Sequence, residues 1–237
     1  MKPPHPEEFT NKQYESVGKF RQGLLTWGER NIKEYPWRYT EDLFAILVAE
    51  FMLHRTQVAQ VIPVYQSFMS TYPTLFSFSR ADKEDVRRLL LPLGLRWRIS
   101  CMIDALDGLW RTHGRVHPDP EQLLRMKGIG QYIANATICF ARNKPVALVD
   151  GNTVRVTGRV FGLDLRGEAR RRKAVIRAIS DACIPSNPRD FYYAMIDLAH
   201  AICTPTDPLC SSCPLLGVPC VLARERAGGP EIQESSP

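Results

Sequence analysis

Apolar residues recur at helical spacing along most of the chain. In residues 14–31, for example, Val17, Phe20 and Leu24 fall on one face of a helix. No segment alternates for long between apolar and polar residues, and the short apolar run 145–149 has no partner strand. The pattern therefore predicts an all-α fold. The predicted helices cover residues 14–31, 43–53, 58–72, 83–91, 96–112, 120–126, a segment from Gln131, 153–161, 170–183 and 190–203.

The predicted helix 43–53 is apolar nearly all round, which predicts that it is buried. Asp42 precedes it and offers an N-cap. Glu50 is the exception within this helix. A buried carboxyl group holds a proton more readily than one in water, so Glu50 could act as an acid at neutral pH. The alternative is a partly exposed glutamate at the edge of a buried helix.

A Gly-Ile-Gly turn separates two predicted helices within about residues 123–140. Gly128 and Gly130 permit positive φ angles and a close approach of the backbone. The turn leaves N–H groups free at the start of the helix from Gln131, where a phosphate can bind. About twenty residues later, Asp150 precedes Gly-Asn-Thr at another helix start. On spacing alone Asp150 is most simply an N-cap, and a carboxylate held in that way can also stabilise positive charge.

Composition limits the class of protein. The 237 residues fit one large domain or two small ones. A net charge of +6 permits an anionic partner such as nucleic acid without proving one. No run of eighteen apolar residues exists and the N-terminus lacks an apolar signal core, so we expect a soluble, intracellular protein that binds no membrane. The polar segments 1–14 and 224–237 are predicted to be disordered.

Four cysteines crowd together near the C-terminus with the spacing C-x6-C-x2-C-x6-C. In a chain without export signals such a group indicates metal or cluster ligation over disulfides. Four thiolates can hold either a [4Fe–4S] cluster or a structural zinc ion, and spacing alone does not decide between them. The four residues are Cys203, Cys210, Cys213 and Cys220.

The hairpin, the aspartate and the cysteines, in this order, resemble the helix-hairpin-helix DNA glycosylases of the endonuclease III and MutY group. The resemblance spans residues 27–220. The family motif is C-x6-C-x2-C-x5-C, so this chain has one extra residue before Cys220. The resemblance favours [4Fe–4S] over zinc. It implies a six-helix barrel over residues 38–150 and a cluster domain built from 15–37 and 151–223, with the active site in the cleft between them.

The resemblance also assigns roles to three residues. Asp150 corresponds to the catalytic aspartate of the family, and Glu50 to the glutamate that assists at the base. The residue two positions after the second hairpin glycine sets the reaction type, because a lysine there forms a Schiff base. Adenine enzymes carry a serine, whereas Tyr132 is the arrangement of the thymine–guanine mismatch glycosylases. A phenol cannot form an imine, which predicts no strong lyase activity.

Double-stranded DNA with a mismatch or lesion is the partner that the resemblance implies, bound by a monomer in the cytoplasm or nucleoid. Two loops and the hairpin would contact the DNA, with His54-Arg55 entering the gap left by the flipped base and Leu95 acting as an apolar wedge. Arg98, like Arg96, could meet a phosphate. The predicted DNA-binding residues are Gly128, Ile129, Gly130, Gln131, His54, Arg55, Leu95 and Arg96.

The resemblance implies a monofunctional glycosylase that removes thymine, and also uracil, mispaired with guanine. An adenine glycosylase acting opposite 8-oxoguanine or guanine is the nearest alternative. It suits Glu50, but the chain ends at Pro237 without the long C-terminal domain of such enzymes. A bifunctional lyase would need Lys127 or Lys144 as its amine. A non-catalytic DNA-binding module would use the hairpin and the cluster only structurally.

Overall fold

The computed structural model describes residues 11–94, 96–163, 187–215, 218 and 220–226. Within these ranges the regular structure is helical and no strand is present, which confirms the predicted all-α fold. The predicted helix 170–183 lies outside the described residues, and so does Leu95. The α-helices are α1 (Asn11–Asn31), α2 (Leu43–Leu53), α3 (Val58–Thr71), α4 (Leu75–Ser79), α5 (Lys83–Leu90), α6 (Arg96–His113), α7 (Pro120–Leu124), α8 (Gln131–Arg142), α9 (Gly151–Phe161), α10 (Pro188–Ala201) and α11 (Val221–Arg226). Single 3-10 turns occur at Pro36–Arg38, Leu91–Leu93 and Cys210–Ser212.

The chain divides into two compact units. The central unit spans residues 33–146 and contains α2 to α8. The terminal unit joins residues 1–32 to residues 147–237 and contains α1 and α9 to α11. The domain boundaries predicted from the sequence, after residues 37 and 150, lie a few residues further along the chain than these two junctions.

Helix α2 lies in the core of the central unit. Every residue from Leu43 to Met52 is buried, which confirms the expectation from its apolar composition. The helix begins where Asp42 Oδ1 accepts a hydrogen bond from the N–H of Ala45 at 2.8 Å. Helices α3 and α8 pack against α2, so the element that carries Glu50 is enclosed by the element that follows the hairpin.

In the terminal unit, α1 packs on α10, α10 packs on α9, and α9 packs on α11. The ring of Phe20 makes edge contacts with Phe161 and Phe191, at centroid distances of 5.4 and 6.1 Å. A Cβ added at Gly28 would lie 2.8 Å from the Cβ of Ala194, so glycine is needed where α1 meets α10. The first helix of the chain is thereby packed into a core made mostly by its C-terminal third.

Both ends of the predicted ordered region need correction. Helix α1 begins at Asn11, so residues 11–14 are helical and not disordered. Helix α11 continues to Arg226, three residues into the segment 224–237 that was predicted to be disordered. Apolar periodicity marks only the turns that face a core, and a polar first or last turn of a helix escapes it.

Candidate active site

Asp150 is the N-cap of α9, as its spacing predicted, and its carboxylate is held from three directions. Oδ1 accepts hydrogen bonds from the backbone N–H groups of Asn152 and Thr153, at 3.1 and 2.8 Å. Oδ2 accepts one from the side-chain amide of Asn152 at 2.9 Å. The Thr153 hydroxyl in turn accepts the N–H of Asp150 at 2.9 Å, which completes a capping box. The carboxylate therefore has one orientation at the positive end of a helix.

Arg155 supports this arrangement from one turn further along α9. Its Nη2 donates to the Asn152 side-chain oxygen and to the carbonyl of Ala199, both at 3.0 Å. Its Nε donates to the carbonyl of Cys203 at 2.8 Å. Burial is the main cause that lowers the pKa of this guanidinium. The sequence analysis missed Arg155, although its spacing from Asp150 places it near the same end of α9.

The four cysteines line one cavity of the terminal unit, together with apolar side chains and Arg159. Arg159 Nη1 donates to the Cys203 sulfur at 3.5 Å, and the Cys220 thiol donates to the Arg159 carbonyl at 3.4 Å. Burial raises the pKa of the Cys213 and Cys220 thiols. Among the described residues, no group of three or more histidine, cysteine or carboxylate side chains is arranged to hold a metal ion.

The hairpin in the central unit joins α7 to α8. Gly128 has a φ of 92°, and a Cβ there would lie 3.1 Å from the carbonyl oxygen of Cys101. Glycine is required at that position for both reasons. Gly130 corrects the prediction of a second positive φ: it is the N-cap of α8, with a φ of −86° and open space beside its Cα. An N-cap residue takes an extended conformation, which needs no left-handed angle. The N-terminus of α8 has no side-chain cap.

The residues around the hairpin turn differ in exposure. Ile129 is buried and anchors the turn, whereas Gln131 is exposed and donates a hydrogen bond to Asn135 at 3.0 Å. Tyr132 is half-buried in the first turn of α8. Tyr132 therefore stands next to uncapped backbone N–H groups, where it can meet a ligand held by them.

Glu50 is buried near the end of α2, with 5% of its surface exposed, which overturns the alternative of an edge glutamate. His54 and Arg55 follow in the turn before α3, and both are exposed. Arg55 adopts a left-handed φ of 61°. Arg96 is exposed at the first residue of α6, whereas Arg98 is buried. The central unit thus holds all the described DNA-contact candidates.

The predicted site residues are shared between the two units. Glu50 and Tyr132 belong to the central unit, whereas Asp150 and the cysteines belong to the terminal unit. No helix in the described part of the chain is long and apolar enough to cross a membrane.

Residues 48–180 match the family described as HhH-GPD superfamily base excision DNA repair protein. The chain is 35% identical over 205 residues to a thymine-DNA glycosylase of Aeropyrum pernix, which covers 84% of this chain and 92% of that protein. It is 30% identical over 214 residues to a thymine/uracil-DNA glycosylase of Pyrobaculum aerophilum, with 88% and 93% covered. An adenine DNA glycosylase of Homo sapiens is also 30% identical, but the match covers 93% of this chain and only 44% of that protein.

Solved structures resemble the fold over nearly the whole chain. A thermostable thymine-DNA glycosylase superposes with a TM-score of 0.80 at 26% identity, covering 91% of this chain and all of the other. A trapped endonuclease III–DNA covalent intermediate superposes with a TM-score of 0.76 at 20% identity, covering 93% of this chain and all of the other.

Proposed function

The chain belongs to the HhH-GPD superfamily of base excision DNA repair proteins, and we propose that it is a monofunctional DNA glycosylase that removes thymine, and also uracil, mispaired with guanine. DNA is its partner. The observation that carries the proposal is Tyr132 in the first turn of α8, after the uncapped hairpin turn. The similarity to thymine and thymine/uracil glycosylases over most of both chains supports the same substrate.

The reaction breaks the N-glycosidic bond between C1′ of the sugar and the mispaired base. Positive charge develops on the sugar as the base leaves, and Asp150 stabilises that charge through its fixed carboxylate. A water molecule adds its oxygen to C1′, and its proton ends on the departing base or the solvent. Because Asn152 and Thr153 fix the carboxylate before the substrate arrives, little reorganisation accompanies the step.

Glu50 and Tyr132 act on the base side of the reaction. The buried Glu50 carboxyl delivers or positions the proton that the departing base needs. Tyr132 lies against the flipped nucleotide. Since a phenol cannot form an imine with the sugar, the reaction stops after base removal and leaves the strand intact.

The superfamily relatives related to endonuclease III and MutY suggest an iron–sulfur protein, and we assign a [4Fe–4S] cluster to Cys203, Cys210, Cys213 and Cys220. The cavity lining supports this assignment, because sulfur is its only metal-ligating donor type: no histidine or carboxylate side chain lines it. When bound, the cluster would tie together the loop after α10. Visible absorption of the purified protein with iron and sulfide analysis tests it, and zinc without iron would overturn it.

A panel of duplexes tests the substrate. We expect purified protein to leave alkali-labile sites in duplexes with a central T·G or U·G pair and none in A·8-oxoG or A·G duplexes. The similarity to adenine glycosylases and the buried Glu50 make the adenine pairs the necessary comparison. Cleavage of adenine alone would replace thymine by adenine as the substrate. We expect the protein to act as a monomer in the cytoplasm or nucleoid, which sedimentation of the free and DNA-bound protein checks for the oligomeric state.

A further inference from the structure

Three cationic side chains lie together at the turn between α2 and α3 without an acidic partner. His54 and Arg55 stand in the turn, and Arg98 comes from the first turn of α6. Burial lowers the pKa of His54 and of Arg98, and the charge of Arg55 lowers both further. No salt bridge found within the described ranges involves any of the three. The cluster therefore repels itself in the protein alone.

Arg98 is the least satisfied member of this cluster. Only 5% of its surface is exposed. Its Nη2 donates to the carbonyl of Leu93 at 3.1 Å, whereas its Nη1 is buried and has no hydrogen-bond partner. A buried guanidinium without an anion is costly, because it loses hydration and gains no opposite charge. An anion entering at Arg98 would remove that cost.

Two further donors in the same turn lack partners. The Thr56 hydroxyl is buried and makes no hydrogen bond. Helix α3 has 14 residues, and the side chain of its N-cap residue, Gln57, makes no hydrogen bond to the first turn. The first N–H groups of α3 are therefore uncapped at the positive end of the helix dipole. Together with Arg98 they provide a charged group, a hydroxyl and backbone N–H groups, which is the donor set of a phosphate site.

The backbone of the turn is also held in an unusual state. Arg55, between His54 and Thr56, has a φ of 61°. A left-handed arginine is unfavourable and persists only where the surrounding structure determines it. The turn is therefore a defined structure, and its unpaired donors occupy fixed positions.

We propose that Arg98, Thr56 and the N-terminus of α3 form a binding site for one backbone phosphate of duplex DNA, with Arg55 at its exposed edge. The proposal rests on the proposed function, because it takes duplex DNA as the ligand. A phosphodiester carries one negative charge and two free oxygens, which suit one guanidinium and neutral donors. A water molecule on Thr56 would satisfy the hydroxyl but would leave the charge of Arg98 unbalanced.

Binding as a function of salt concentration tests this site. Full-length Asp150→Asn protein, which prevents turnover, is compared with the same protein carrying Arg98→Met, on a T·G duplex and on a fully paired duplex of the same sequence. We expect Arg98→Met to bind both duplexes on the order of ten-fold more weakly. The slope of log K against log salt should become shallower by about one, because one phosphate contact is lost. Arg111→Met, an exposed arginine at the other end of α6, is the matched control and should leave the slope unchanged.

Two results would overturn the proposal: an unchanged salt slope, or a loss confined to the T·G duplex, which would mean that Arg98 reads the mismatch. If Arg98→Met fails to fold, Thr56→Val replaces it. Removing the unpaired hydroxyl should leave the stability to urea intact and weaken binding several-fold on both duplexes; unchanged binding would count against the site. A protein that shows the expected slope but releases no thymine would retain the phosphate site and refute the proposed function.

Discussion

Asn152 donates two hydrogen bonds to the carboxylate of Asp150, one from its backbone N–H to Oδ1 and one from its side-chain amide to Oδ2. The side-chain oxygen of Asn152 accepts from Arg155, which also binds the carbonyl of Cys203. The orientation of Asp150 therefore depends on a polar network that reaches the loop carrying the first cysteine. Two members of this network donate to the aspartate and one to the loop.

Asn152→Ala tests the positioning of Asp150. The variant loses the side-chain amide but keeps the backbone N–H, so Asp150 remains capped and less firmly oriented. We expect the single-turnover rate on a T·G duplex to fall by about ten- to hundred-fold, the equivalent of one hydrogen bond to a charged group. The dissociation constant for the duplex should stay the same.

The matched control is Asn31→Ala, an exposed asparagine of the same unit whose side chain donates to the Trp27 carbonyl. It should change neither quantity. An Asn152→Ala enzyme with a wild-type rate would mean that the amide does not position the carboxylate.

Tyr132→Lys tests the reaction type. A lysine in this position would place an amine in the first turn of α8, where it can attack C1′ and form an imine. We expect borohydride to trap a covalent adduct between this variant and a T·G duplex. The wild-type protein should give no adduct, although it contains Lys127 and Lys144. Trapping by the wild-type protein would show that another amine reacts, and Lys127→Ala and Lys144→Ala would then identify it.

His117 predicts a pH dependence of stability. Its side chain is 7% exposed and its Nε2 is buried without a hydrogen-bond partner. Burial lowers its pKa, and the neighbouring His113 and Arg115 lower it further, against an opposing effect of Asp119. In the unfolded chain a histidine titrates near about 6.5. The unfolded state therefore binds more protons below that pH, so the stabilisation present above it is lost as the pH falls through this value.

Urea unfolding between mildly acidic and neutral pH measures this effect. We expect the free energy of unfolding to decrease with falling pH in the wild type and to decrease less in His117→Leu. His200→Leu, which removes an exposed histidine from α10, should retain the wild-type dependence. Identical slopes for the wild type and His117→Leu would contradict the assignment.

Local sequence features predicted much of this structure because their physical causes are local. The apolar composition of α2 predicted its burial, and Asp42 and Asp150 predicted two helix starts. The hairpin was predicted from two glycines, but only Gly128 takes the positive φ. Both glycines look alike in sequence, whereas their backbone angles follow from what each one contacts.

Contacts between distant segments could not be predicted in this way. The bond from Arg155 to the Cys203 carbonyl joins residues 48 positions apart, and nothing in the spacing around Arg155 indicates its partner. Arg98 stood beside Arg96 as a candidate phosphate contact, yet one is buried and the other exposed. Their difference arises from packing against the turn before α3 and from Leu93, which the pattern of charges does not contain.

Base release from a T·G duplex by the wild-type protein and by Asp150→Asn tests the central claim most directly. Under single-turnover conditions we expect the wild type to produce an alkali-labile site in the thymine strand. Asp150→Asn should bind the same duplex and produce none, because an amide cannot stabilise the developing positive charge. Retained base release by Asp150→Asn, or no release of thymine by the wild type, would contradict the account.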